Sequence, residues 1–145
     1  MPYMVNKFNI RVNGIWLKGD KILMSNENIE GFKMLKLPGG GLEYGEGPVE
    51  CVIREFQEEL DVSIEVSRLV HTTETFIPSA FKKQEQVIAI HYLVTSNDVI
   101  AYMESTQPTR LGGENYHMFE WCTLNPELLA KLTFEMDRQA LIRLM

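Results

Sequence analysis

Seven acidic side chains, Glu43, Glu46, Glu50, Glu55, Glu58, Glu59 and Asp61, lie between positions 43 and 61 against a single base, Arg54. Oxygen ligands at this density suit a hard divalent cation such as Mg²⁺ or Mn²⁺ better than Zn²⁺, which prefers Cys and His. Across Pro48–Leu60 the apolar residues Val49, Val52, Ile53, Phe56 and Leu60 recur at spacings of three and four, which predicts an amphipathic helix with that stripe on the core. At 100° per residue, Glu58 lies at about −60° and Glu59 at about +40° from Glu55, with the apolar stripe centred near about +115°. Three carboxylates therefore share one face. Like charges at these spacings repel by roughly 0.2–0.5 kcal/mol per pair, and a bound cation is the simplest remedy. A solvated acidic face is the bland alternative. The residues in front of the helix weigh against it, because the Gly39-Gly40-Gly41 turn can bring backbone close to a phosphate or a metal.

The elements that must carry these residues follow from pattern. NIRVNGIWL and KILMS flank the turn-like Lys18–Lys21 as a hairpin, and FKMLKL reads as a third strand. Pro38 and the three glycines then end regular structure and open a loop. Pro48 suits a first helical position, with Gly47 or Glu46 at the entry and Asp61 just past the last apolar residue. VSIEVSRLVHTTETFI and QVIAIHYLVT read as two strands joined by a polar loop holding Pro78, Lys82 and Lys83. A further strand-rich block ends at Trp121, and Asn125-Pro126 starts one or two terminal helices. Strands, helix, strands, helix predict an α+β fold with a mixed sheet.

The chain has 145 residues and a formal charge of −6, from fourteen Lys plus Arg against twenty Asp plus Glu. The length predicts one domain over residues 1–145. The acidic balance offers no basic field for phosphates along a nucleic acid, so a nucleic acid partner is not expected. No run approaches the roughly 18 apolar residues of a membrane span, and the first residues lack a signal peptide's apolar stretch, so the expected location is cytoplasmic with no membrane partner. Cys51 and Cys122, the two cysteines, read as reduced packing residues.

Glycines, acids and spacing together resemble the Nudix hydrolase family. Its motif is Gly, five residues, Glu, seven residues, then Arg-Glu-apolar-any-Glu-Glu-any-Gly-apolar. Residues 40–62, GGLEYGEGPVECVIREFQEELDV, agree at Gly40, Glu46, Arg54, Glu55, Phe56, Glu58, Glu59 and Val62, eight of the nine specified positions. The departure is Asp61 in place of glycine. That position follows the helix, where a left-handed backbone is common and Asp is among the few other residues that tolerate it.

The resemblance implies a Nudix-like α/β/α sandwich. It also implies hydrolysis of a diphosphate bond in a nucleoside diphosphate linked to another group, assisted by Mg²⁺ or Mn²⁺, with water attacking phosphorus. Carried over by position, Glu55, Glu58 and Glu59 are the metal ligands, with a backbone carbonyl near Gly40 completing the set and Gly39–Gly41 lying against the substrate. Arg54 orients the carboxylates and Glu46 supports the loop. The base is not set by the motif: family members use a helix glutamate or a later loop carboxylate, for which Glu114 is preferred to Glu120.

His71, His91 and His117 read as packing or surface residues, and Phe76, Phe81, Tyr92 and Tyr116 are aromatics able to stack on a base. Pro78, sixteen residues past Val62, matches a spacing seen in ADP-ribose-cleaving members. The substrate leaning is thus ADP-ribose or a nucleotide sugar, then nucleoside triphosphates. The rival class is a Nudix-like domain that binds a nucleotide as a sensor without cleaving it; such domains usually lose motif carboxylates, and this chain keeps them. An isopentenyl diphosphate isomerase relative needs a catalytic cysteine, for which Cys51 and Cys122 give little support. Homodimers are common among relatives, and no residue here specifies an interface.

Overall fold

The computed structural model describes residues 4–100, 109–112 (as backbone) and 114–145. Eight strands and three helices follow in the order β1 (Lys7–Lys18), β2 (Lys21–Ile29), β3 (Phe32–Lys36), β4 (Gly39–Gly41), α1 (Pro48–Leu60), β5 (Glu65–Thr72), β6 (Glu85–Thr95), β7 (Thr109–Gly112), β8 (Asn115–Thr123), α2 (Pro126–Lys131) and α3 (Glu135–Ile142). The sheet order is β5-β6-β1-β2-β8-β7, with β3 on β2 and β4 on β1. The sheet is mixed: β1 runs parallel to β6 from Lys7↔Glu85 to Trp16↔Val94, while β1 and β2 form an antiparallel hairpin that stays paired only at its turn end, Leu17↔Ile22 and Lys18↔Lys21. Beyond that point β1 takes β4 and β2 takes β3 on the edges that face each other.

Alternation along the strands divides the core into layers. Val12, Trp16, Leu23 and Phe119 pack with Val52, Phe56 and Leu60 of α1, and Trp16 meets Trp121 edge-on at 5.1 Å. On the opposite face Ile15, Ile22, Met24 and Leu37 pack with Leu128 of α2, Leu132 just after it, and Ala140 and Leu141 of α3. Helix, sheet and helix pair make an α/β/α sandwich, the α+β class that the element order predicts. Among the described residues no helix is long and apolar enough to cross a membrane.

Two local readings need correction. The three glycines do not open a loop; they form β4, pairing Gly39–Gly41 with Asn13–Arg11. The pairing partner lies 26 to 30 residues upstream, outside the reach of local turn chemistry. The buried face of α1 keeps Val52, Phe56 and Leu60 of the apolar stripe but not the whole of it. Cys51, Val52, Phe56 and Leu60 are buried, whereas Val49 and Ile53 are 41% and 38% exposed. On the wheel the buried arc is turned by about 60° from the apolar centre toward the carboxylates. The cause is β4: its strand backbone lies against the Cys51 side of the helix, with the Cys51 thiol facing the Gly41 carbonyl at 3.5 Å. Glu55 and Glu59 are thereby drawn part-way into the protein and Glu58 stays outside.

Candidate active site

Helix α1 begins at Gly47, whose N–H donates to Glu50 Oε1 at 2.8 Å, with Pro48 in the first turn. It ends at Asp61, whose backbone is left-handed (φ 53°, ψ 43°) and whose carboxylate accepts from Gln57 Nε2 at 2.8 Å. Between these ends Arg54 organises the polar side. Its Nε and Nη2 grip both oxygens of Glu46 at 2.9 and 2.7 Å, and Nη1 donates to Glu55 at 2.9 Å and to Glu58 at 3.1 Å. Nη2 also donates to the Gly41 carbonyl at 3.1 Å, tying helix to strand β4. This forked guanidinium geometry fixes carboxylate direction as well as charge. The paired guanidinium holds the Glu46 carboxyl down at about 2, and Glu46 in turn accepts from the Glu43 N–H at 3.0 Å.

Glu59 points elsewhere. Burial, and then the charge of Glu55, push its carboxyl up to about 8, against the opposing pull of Lys36 and Arg11. Lys36 is paired with Glu27 at 3.0 Å, and Glu27 meets His117 Nε2 at 3.1 Å, with Ser25 Oγ also 2.9 Å from that nitrogen. Burial lowers the affinity of His117 for a proton. Arg11, Lys36, Glu27 and His117 are site neighbours that sequence reasoning missed. They come from β1, β2, β3 and β8, and no local spacing announces them.

The structure places the remaining candidates as follows. Gly40 lies against Glu55 so closely that a Cβ there would be 2.2 Å from the carboxyl carbon. Glu114 is exposed in the turn before β8, where its backbone carbonyl accepts from Asn28 at 3.2 Å. Glu120 lies on the face of β8 opposite Phe119 and Trp121, and accepts from the Cys122 thiol at 3.5 Å. The sheet separates it from α1, which removes it as a base. Both thiols are pushed up to about 12 by burial, as suits packing residues.

Beside Lys36 a cavity of about 100 Å³ runs between β1, the 77–81 loop and α3. Arg11 and Lys36 line the cavity, and their charges also act on Glu59. Phe81 stands in its wall, while Phe76 is exposed, and Tyr92 packs against the core.

The family model of the NUDIX domain matches residues 7–144. The chain belongs to the NUDIX family. Solved structures agree in fold. A NUDIX hydrolase from Nitrosomonas europaea is 20% identical with a TM-score of 0.72, covering 95% of this chain and 88% of that one. The mismatch repair protein MutT of methicillin-resistant Staphylococcus aureus is 25% identical with a TM-score of 0.65, covering 97% and 98%. An ADP-ribose pyrophosphatase from Streptococcus suis is 16% identical with a TM-score of 0.58, covering 94% and 90%.

Members of the NUDIX family generally use a divalent metal such as Mg²⁺. Among the described residues no three acidic, imidazole or thiol groups are gathered into a ready cage, since Glu55 and Glu58 are turned to Arg54. The donor set nevertheless fits a hard cation: all-oxygen ligands, a half-buried Glu55–Glu59 pair of like charge, and a glycine cradle that leaves the Glu55 carboxyl in place. If Arg54 holds this NUDIX site in order, Arg54→Ala leaves Glu46, Glu55 and Glu58 without their shared donor. The expected loss is about 1–3 kcal/mol of stability, read as a lowered urea midpoint with unchanged slope. A midpoint equal to wild type would remove Arg54 from that role.

Proposed function

We propose that this NUDIX protein is a Mg²⁺- or Mn²⁺-dependent pyrophosphohydrolase that cleaves a nucleoside diphosphate linked to another group. One observation carries the reading. Arg11 and Lys36, whose charges act on the inward carboxylate Glu59 of α1, also line a cavity with apolar and aromatic walls. A nucleotide has the matching order of parts, with a bridging diphosphate beside these cations and its nucleoside in the cavity.

Glu55, Glu58 and Glu59, with the Gly40 carbonyl, would hold the cation, which when bound supplies charge neutralisation at the phosphate oxygens and a more acidic water. Arg54 keeps Glu55 and Glu58 aimed, and Arg11 and Lys36 place the diphosphate for in-line attack. Glu114, exposed in the turn before β8, remains the acceptor of the water's proton outside the helix. ADP-ribose and nucleotide sugars lead as substrates, with nucleoside triphosphates next.

The test is release of phosphate or nucleoside monophosphate from ADP-ribose, nucleotide sugars, nucleoside triphosphates and diadenosine polyphosphates, with Mg²⁺, with Mn²⁺ and with chelator. Turnover that chelator abolishes is the expected result. Nucleotide binding with no product at any metal concentration would overturn it in favour of the sensor reading.

A further inference from the structure

The part of the apolar stripe that the core does not take is left on one side of α1. Cys51 faces β4, and β4 occupies one edge of β1. Val49 and Ile53, both exposed, stand about 160° and 200° around the wheel from Cys51. They therefore look away from β4, over the other edge of β1, where β6 and then β5 follow. The sheet on that side is apolar as well. Ile10 of β1 lies beside Ile88 of β6, Val12 beside Ile90, and Leu69 of β5 beside Tyr92. Alternation puts Phe8 and Ile10 on the same face as Val12, which packs under α1. Phe8 is 69% and Leu69 53% exposed, and Ile10, Ile88, Ile90 and Tyr92 are part-buried.

Helix side and sheet face thus meet in one apolar corner. At these exposures it presents roughly 400–600 Å² of apolar surface, taking about 150–250 Å² for each large residue in full. A standard interface covers about 800 Å² per partner, of which about 57% is apolar, or about 450 Å². The corner supplies that amount. Charge decides what fits against it. The chain carries −6, so two copies repel over most of their surface. No residue of the corner is charged, and Glu55 and Glu58 lie roughly 140–200° away around the helix. Glu50, about 60° from Ile53 on the wheel, turns its carboxylate back to the Gly47 N–H at 2.8 Å. Here two copies of an acidic chain can meet without bringing acids together. An uncharged apolar surface also complements itself, as a two-fold contact requires, whereas a partner of another kind would find no charged side chain to orient it.

We propose that the corner between the outer side of α1 and the β5-β6-β1 face is a homodimer interface, its occupant the same corner of a second copy of this chain. The carboxylate side of α1 stays in solvent, so both sites remain open. Turnover uses none of these residues, and the interface stands or falls apart from the hydrolase reading.

The test is sedimentation velocity of the full chain between about 1 and 100 µM, with melting temperatures over the same range. The wild type is expected to sediment as a dimer of the 16.7 kDa chain and to melt at a temperature that rises with its concentration. Leu69→Glu and Phe8→Glu each place a carboxylate in the corner at a position already exposed in one copy, and the symmetry enters each change twice. Each is expected to weaken the dimer about a hundredfold or more and to melt at a temperature independent of concentration, with unchanged far-UV circular dichroism. Val49→Lys, on the helix, gives the same reading without touching the packing of β1 and β5. A wild type that is monomeric throughout overturns the proposal and leaves the corner to a different partner. A dimer that the folded variants keep also overturns it, because that dimer uses another face.

Discussion

Glu59→Gln is expected to cut turnover by about a hundredfold or more while making the metal-free protein more stable at pH 8. The two effects have one cause. Glu59 is half-buried beside Glu55, and its carboxyl is pushed from 4.5 up to about 8 by burial and by that neighbour's charge. Between those values the native state holds a proton that the unfolded chain has lost. Stability of the metal-free protein therefore falls as pH rises from about 4.5 to about 8 and levels off above, with a slope of at most ~1.4 kcal/mol per pH unit. Glutamine keeps the shape and removes the charge, so the slope from this site disappears and the variant is the more stable form at the alkaline end. On the proposed ligand assignment Mg²⁺ is expected to reverse the sign for the wild type, because the ionised pair would bind it and the protonated one would not. Added Mg²⁺ should therefore raise the wild-type melting temperature more at pH 8 than at pH 5, and should not do so in the variant. Thermal melts at both pH values, with and without Mg²⁺, together with turnover, check the whole set. A variant that turns over normally would remove Glu59 from the ligand set, and one less stable than wild type at pH 8 would remove the strain argument.

The reason this strain was invisible in the sequence lies in the rotation of α1. The spacing of Val52, Phe56 and Leu60 gives the helix and its bounds, and the acids give its chemistry. Hydrophobic periodicity, however, places the buried arc where the apolar residues are, and so puts Glu55 and Glu59 in water. What turns the helix is β4, a three-glycine strand whose partner is Asn13–Arg11, and pairing over that separation leaves no local mark. The cavity was hidden for the same reason, being assembled from β1, the end of β3, the 77–81 loop and α3.

Gly39→Ala and Gly40→Ala are expected to fail in opposite ways, although the residues are adjacent in β4. A Cβ on Gly40 would lie 2.2 Å from both the carboxyl carbon and Oε1 of Glu55. Those atoms are the far end of a side chain with three rotatable bonds, so the carboxyl is expected to swing away, lose its 2.9 Å bond to Arg54 and leave the position proposed for the metal. The fold tolerates this at a cost of about 1 kcal/mol, while metal affinity and turnover drop about 10- to 100-fold or further. A Cβ on Gly39 would instead lie 2.2 Å from the Val12 carbonyl oxygen, on a residue whose φ is +154°. Backbone cannot swing away, and an L-residue is strained at that angle, so the expected loss is about 3 kcal/mol or more of stability. Urea midpoints and Mg²⁺ titration calorimetry on both variants separate the outcomes. If Gly40→Ala bound Mg²⁺ as the wild type does, Glu55 would not be the ligand that the glycine protects. If Gly39→Ala were as stable as the wild type, β4 would not be the rigid support that turns the carboxylate face of α1 inward.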